Sequence, residues 1–352
     1  METFVEDQPK TKAFNNQAVT KHSPFGPRGE RLSIIIPTYN CANYLEETLL
    51  SVRRETENVL EEAQILVIDD YSTKDDPKAV IDRIWPGRVE FFRQPQNVGP
   101  CANFNACLER AERDWIHMLH GDDFILPGAY QEFAATVEAV PDAIAVFGRS
   151  IIVDEDSFWL GCSLRLGKDA RGRFEYKPQM WSISPTPCPG VLISRRAIET
   201  VGTFDPSFCH AQDCNMWWRI VRTGRAAYTN TCVGAYREST TNHTSSLLSS
   251  GKNLAEDLDQ TERVADSVRS DPSHNAATLE ELYEDAYWKV LRQCNAYLGN
   301  TERFRASFRM FDRFPATFRK RRSFWLVQLR HYKHLLAKAL GLREPKLRAD
   351  LN

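Results

Sequence analysis

Two pairs of adjacent aspartates carry most of the chemical information in this chain. Asp69–Asp70 follows the apolar run Ile65–Leu66–Val67–Ile68, and Asp122–Asp123 follows Trp115 to Leu119 by way of His120–Gly121. Carboxylates gathered where a buried strand stops are costly unless something positive joins them. For Asp122–Asp123 the fitting partner is a hard divalent cation, Mg2+ or Mn2+, holding a phosphate; the competing role is helix capping ahead of Pro127. Asp69–Asp70, with Tyr71–Ser72–Thr73 behind it, can accept hydrogen bonds from a base and a ribose, or can form a solvated turn whose hydroxyls cap the next helix. Asp213 stands before Trp217 and Trp218, where desolvation would raise its pKa toward that of a general base. As a helix N-terminal aspartate it would be stabilised by the dipole alone. His243 lies in the Ser/Thr-rich stretch from Glu238 to Ser246, a loop able to close over a metal-bound ligand or simply to be solvated.

The elements that must position these residues read as strand and helix in alternation. Leu32–Ser33–Ile34–Ile35–Ile36–Pro37 is an unalternated β-branched run, as a parallel strand covered on both faces requires. Asn43 and Glu46 form a plausible capping pair for a helix with Leu45, Leu49 and Val52 on one face. Asp76–Pro77 opens a second helix. Val89 to Phe92 is a third strand, Asn97–Val98–Gly99–Pro100 leads into a third helix, and the stretch from Trp115 is the fourth strand. Such alternation predicts a right-handed, doubly wound, mostly parallel sheet, in which ligands sit outside the carboxyl ends of the strands. All four aspartates of the two pairs fall there. Beyond Pro141 the pattern changes. Strands are expected at 143–153, 188–193 and 226–236, with a helix at 209–222. Residues 155 to 187 are irregular, and from about 254 the chain reads as helix.

Composition bounds the rest. With 352 residues, 42% of them hydrophobic and 26% charged, the chain is an ordinary globular sequence long enough for one large domain plus appendages. A net charge of −2 gives no global attraction to nucleic acid. Nine cysteines, odd in number and without a CxxC pair, favour reduced thiols and a cytoplasmic setting. No apolar run is long enough to span a bilayer, and the first residues do not read as a signal peptide. Three regions are expected: a flexible leader at 1–30, a catalytic domain at 31–250, and a helical C-terminal extension at 251–352.

Taken in order, Ile34–Ile35–Ile36–Pro37–Thr38–Tyr39–Asn40, Val67 to Thr73, Asn97–Val98–Gly99 with Asn105, Leu119 to Asp123, Gly202–Thr203–Phe204–Asp205 and Gln212–Asp213 resemble the family 2 glycosyltransferases of GT-A fold. The resemblance covers residues 32 to about 245. It implies a Rossmann-like, mostly parallel sheet flanked by helices. Pro37, Thr38, Tyr39, Asp69, Asp70, Asn97, Gly99, His120 and Gly121 would line the nucleotide site. Asp122 would be the metal carboxylate of the family's DxD motif, with His243 as a substitute for a C-terminal histidine ligand. Asp213 would be the catalytic base, taking the acceptor's proton in a single inverting displacement. The donor would be a nucleoside diphosphate sugar, UDP-sugar favoured, and the acceptor a saccharide or lipid-linked hydroxyl in cell-surface glycan synthesis. Two departures stand out: His120 replaces the first aspartate of DxD, and Gln212 replaces the glutamate that usually precedes the base.

The C-terminal residues 319–338 interleave Arg and Lys with Phe, Trp, Tyr and Leu at helical spacing. That pattern suits contact with the inner face of an anionic membrane, or packing on the catalytic domain or in a homo-oligomer. Two other functional classes compete. A catalytically silent nucleotide- or sugar-binding protein is consistent with His120 and Gln212. A sugar-phosphate nucleotidyltransferase would need a Gly-rich basic loop after the first strand, where Pro37–Thr38–Tyr39–Asn40–Cys41 stands instead.

Overall fold

A computed structural model describes residues 23–57, 60–178, 185–239, 252–271, 276–298 and 300–340. Its centre is β1 (Leu32–Thr38), every residue of which is buried, as the unalternated run requires. β2 (Gln64–Asp69) pairs parallel to one side of it and β4 (Trp115–Met118) to the other, while β3 (Glu90–Arg93) extends the parallel set beyond β2. Between them run α1 (Ala42–Thr56), α2 (Pro77–Ile84) and α3 (Pro100–Arg110). The order β3-β2-β1-β4 is the predicted doubly wound half, with Thr38 opposite Asp69 in register at its carboxyl edge.

The second half is mixed. β9 (Val191–Ser194) lies antiparallel between β4 and β6 (Ala145–Val153), and β10 (Ala226–Arg237) runs parallel to β6. β5 (Phe124–Ile125) closes the far edge against β10. Helices α4 (Ala129–Ala139), α5 (Arg195–Val201) and α6 (Gln212–Val221) complete this part. Ser194 caps α5 as expected, its Oγ accepting from the Ala197 N–H. The 155–187 stretch is less irregular than its composition suggests: β7 (Trp159–Cys162) and β8 (Arg171–Arg173) add short strands to β6 and β10. Both are too short, and too exposed, to show an alternating pattern.

Three expectations are corrected. The helix after β1 starts at Ala42 without an Asn43 cap; Asp75, from a loop 33 residues on, accepts the Ala42 N–H instead. The fourth strand stops at Met118, although Leu119 and Gly121 still donate to Ile35 and Pro37 and so keep the chain alongside the end of β1. The leader expected over 1–30 is docked from Ser23 onward, with Phe25 buried edge-on against Tyr130.

The C-terminal segment forms α7 (Lys252–Arg269), α8 (Ala276–Ala296), α9 (Thr301–Arg309), the single turn α10 (Ala316–Arg319) and α11 (Arg322–Ala339). Its core is not separate. One apolar cluster runs from Ile35, Ile116 and Trp217 through Leu258 and Tyr287 to Phe318 and Val327.

His117, fully buried in β4, ties the sheet to its surroundings. Its Nε2 faces the Pro189 carbonyl at 3.2 Å, which can only accept, so Nδ1 receives the Tyr130 hydroxyl at 3.0 Å and the ring is neutral. Burial lowers its pKa from 6.5 to about 4. Between those values the unfolded chain binds the extra proton, so this contribution to stability is complete above pH 6.5 and is lost as pH falls toward 4. Urea unfolding across that window should show a component of about 1.4 kcal/mol per pH unit. The component should vanish in His117→Gln; an acid slope unchanged by the substitution would refute it.

Candidate active site

The carboxyl ends of β1, β2 and β4, the start of α6, and the facing sides of α7 and α8 enclose a cleft of about 1530 Å3. Pro37, Thr38, Tyr39, Asp70, Asn97, Gly99, His120, Asp122 and Asp213 all line it. Asp69 and Gly121 do not. Asp69 is wholly buried behind the cleft, accepting from the Ser72 N–H at 3.1 Å and pairing with Arg93 at 3.4 Å. It shapes the loop that presents Asp70. Gly121 is a steric necessity, since a Cβ there would lie 2.6 Å from Thr38 Cγ2 and 3.0 Å from Cys41 Sγ. His243 falls outside the described residues.

Asp70 already has partners. Its two carboxylate oxygens accept the N–H groups of Val98 and Gly99 at 2.8 and 3.0 Å, fixing the loop that enters α3. Burial raises its pKa, and those two N–H donors hold it down. Tyr39, on the lip of the cleft, is nearly half exposed.

Across the turn after β4, His120, Asp122 and Asp123 bring one ligand atom each within 4.8 Å of one another. Asp123, offered with Asp122 as a cation-binding pair in the sequence, is the most buried of the three. Its Oδ1 accepts the Arg237 N–H at 2.9 Å, while its Oδ2 is buried without a partner. Burial, reinforced by the neighbouring Asp122 charge, pushes its pKa well above the usual range. The His120 ring stacks on Phe104 with centroids 4.9 Å apart, and its Nε2 is also buried and unpartnered. Burial lowers the His120 pKa, with Asp122 and Asp213 pulling the other way. An imidazole nitrogen and an Asp123 oxygen that are buried and unused, with the Asp122 carboxylate beside them, form a donor set that fits a divalent cation.

A buttress stands behind this set. Arg237, 1% exposed, donates through Nε to the Asp122 carbonyl at 2.8 Å and through Nη1 to the Asp154 and Glu155 carbonyls at 3.0 and 3.1 Å. Its Nη2 meets the Glu47 carboxylate, and the guanidinium lies over the rings of Tyr44 and Phe124. Thr48 Oγ1 adds bonds to the Gly121 and Asp123 carbonyls. In the sequence Arg237 signalled only the absence of a nearby histidine; its partners lie up to 190 residues away.

Asp213 occupies the first turn of α6, with Oδ1 accepting the Cys214 N–H. Burial raises its pKa, while His210 and His120 favour the charged form. The loop before it is held from the C-terminal helices. The Glu256 carboxylate on α7 accepts the N–H groups of Cys209, His210 and Ala211, and Asp257 sits between His210 and Lys289 of α8. Besides His120 Nε2, three buried polar atoms of cleft-lining residues have no partner among the described residues: Gln212 Oε1, Asn253 Oδ1 and Gln293 Nε2. Asn253 and Gln293 gave no signal in the sequence, because only the packing of α7 and α8 brings them to the cleft.

Comparison with known proteins bears on the family and the fold. Residues 33–202 match the family Glycosyl transferase family 2. The chain is 30% identical over 129 residues to the Campylobacter jejuni GalNAc(5)-diNAcBac-PP-undecaprenol beta-1,3-glucosyltransferase, a match covering 36% of this chain and 40% of that protein. Among solved structures, S. aureus TarS 1–349 in complex with UDP-GlcNAc aligns with a TM-score of 0.62 at 15% identity, over 89% of this chain and 92% of that one. The mannosyltransferase PcManGT from Pyrobaculum calidifontis, in complex with GDP-Man and Mn2+, aligns with a TM-score of 0.50 at 17% identity, over 88% and 86%. The two structural likenesses establish the GT-A fold.

The Arg237 buttress makes a direct prediction. Arg237→Met leaves several acceptors and the Glu47 carboxylate unanswered, and should cost about 3 kcal/mol in urea unfolding. Mn2+ affinity, read by calorimetry, should fall about tenfold or more through the displaced Asp122. Unaltered Mn2+ binding in a folded Arg237→Met protein would refute the positioning role.

Proposed function

Because this chain belongs to glycosyl transferase family 2, we propose that it moves a sugar from a nucleoside diphosphate sugar to an acceptor hydroxyl, inverting the anomeric centre. The observation that carries this reading is one cleft with a desolvated carboxylate, Asp213, on one wall and His120 and Asp122 on another, with Asp123 buried beside them. UDP-GlcNAc in TarS and GDP-Man in PcManGT support a nucleotide-sugar donor, and UDP-sugar is favoured here. The Campylobacter relative's name supports a lipid-linked acceptor and a surface glycan as the destination.

Each residue then has a task. Tyr39, with Pro37, Thr38, Asn97 and Gly99, holds the nucleoside at the ends of β1 and β2. Asp70 keeps that pocket in shape through its bonds to Val98 and Gly99, with lone pairs left for the base. Asp213 takes the proton of the acceptor hydroxyl, and the raised pKa that burial gives it suits the transfer. The new bond forms between the acceptor oxygen and the anomeric carbon, while the bond from that carbon to the diphosphate breaks and the diphosphate leaves with the electron pair. His120, Asp122 and Asp123 would hold a divalent cation, which supplies neutralisation of the diphosphate charge. An imidazole among the donors favours Mn2+ over Mg2+, whose preference is for oxygen.

Of the irregular 155–187 stretch, only Pro187 reaches the cleft among the described residues. α7 and α8 line the same cleft as Asp213, and Asn253 Oδ1, Gln293 Nε2 and Gln212 Oε1 are buried there without partners. Unpaired buried amides are costly, and the hydroxyls of a sugar or polyol acceptor answer them.

Two experiments test this reading. Nucleoside diphosphate release from a panel of sugar nucleotides should fall by about 10^3-fold or more in Asp213→Asn while UDP affinity is kept. Equal, slow release by wild type and variant would leave a binding protein rather than a transferase. Separately, UDP binding should be strengthened by Mn2+ more than by Mg2+, and His120→Asp should narrow that difference by at least about threefold. Identical metal preference in the two proteins would remove His120 from the donor set.

A further inference from the structure

We propose that α11 is a docking surface for an anionic phospholipid bilayer, an inference independent of the transferase reading. Residues 319–340 contain seven Arg or Lys and no Asp or Glu, in a chain whose net charge is −2. The structure divides that segment cleanly. Phe324, Val327 and His331 face inward: Phe324 packs against Phe308 and Phe311, and His331 stacks on Phe304 while meeting the Leu298 carbonyl. On the other side Trp325, Leu329, Tyr332 and Leu336 recur at steps of four, three and four residues, and each is at least half exposed. Exposed apolar side chains are ordinary when scattered; five with Leu340, aligned in one stripe, are not.

Charge identifies the occupant. Arg321 is engaged by Glu280 and Glu284, and Arg319 by Asp312. Lys320, Arg322, Lys333 and Lys338 are exposed and make no ion pair among the described residues. A second copy docked on this face about a two-fold axis would set these cations against their own images. A leaflet of anionic lipid neutralises them while the Trp, Tyr and Leu side chains enter the interface. No described helix is long and apolar enough to cross a membrane, so α11 lies on the surface rather than spanning it.

Co-sedimentation of the full chain with phosphatidylglycerol–phosphatidylcholine vesicles, and with phosphatidylcholine alone, tests the assignment. Wild type should partition to the anionic vesicles at least about tenfold better, with salt weakening the binding. The variant Trp325→Ser/Leu329→Ser/Tyr332→Ser, and separately Lys320→Glu/Lys333→Glu/Lys338→Glu, should each reduce that partition about tenfold. UDP affinity and the urea midpoint, which exposed positions should not move, serve as the check on folding. Vesicle binding absent in wild type, or retained by both variants, overturns the proposal. So does a wild-type dimer that the serine variant converts to monomer without any vesicle binding, which would assign the stripe to a second copy. Vesicle binding without nucleotide binding would sink the transferase reading and leave this one standing.

Discussion

The buried guanidinium of Arg237 is the constraint on which the site depends. Removing an arginine from water is expensive unless its donors find acceptors, and here carbonyls of Asp122, Asp154 and Glu155, the Ser157 hydroxyl and the Glu47 carboxylate supply them. These partners come from the turn after β4, the end of β6 and helix α1. One side chain at the end of β10 therefore joins the parallel half of the sheet to the mixed half. Its backbone N–H also binds Asp123, so the same residue fixes both members of the acidic pair. The bidentate reach of a planar fork explains why a lysine, a point charge, could not replace it.

That scaffold holds the site in a state of unresolved charge. Asp123 is buried beside Asp122 with an oxygen unanswered, and His120 carries an unanswered nitrogen. Isolated from a ligand the arrangement is unfavourable, which is the usual condition of a site built to receive one. With histidine in place of the first DxD carboxylate, the cluster gives up one negative charge and gains a softer donor. Asp123 lies on the other side of the cluster, so a cation proposed there would meet one imidazole and two carboxylates.

What the sequence made legible follows from how local each signal is. β1, β2 and β4 declared themselves because a parallel strand covered on both faces needs an unbroken apolar run, and the aspartates at their ends needed only that boundary. Asp213 could be placed at a helix start, but its exposure to the cleft depended on α7 and α8. β7 and β8 escaped because four residues around Gly161 and three around Gly172, none of them buried, are too few to carry a period. The Asn43 cap was wrong for a related reason. A donor at a helix start takes any acceptor within reach, and Asp75 arrives from another loop. Arg237, Glu47, Asn253 and Gln293 have meaning only through partners far along the chain, which spacing cannot reveal.

The same logic changes the standing of the C-terminal helices. A segment beyond the family match could be an independent appendage, and then its loss would spare the cleft. Here three consecutive N–H groups ahead of Asp213 converge on Glu256, and His210 leans on Asp257, whose second oxygen holds Lys289. Those N–H groups belong to the turn that aims the first residues of α6, and without Glu256 they would need water in a partly buried place. The apolar cluster shared between the sheet and α7 to α11 leaves no solvent layer at which the two could part. The extension is therefore a wall of the cleft and a support of its proposed base, and the basic, apolar stripe on α11 lies on the outer side of that wall. A surface that seats α11 on a bilayer would hold the enzyme through the helical layer that lines the cleft.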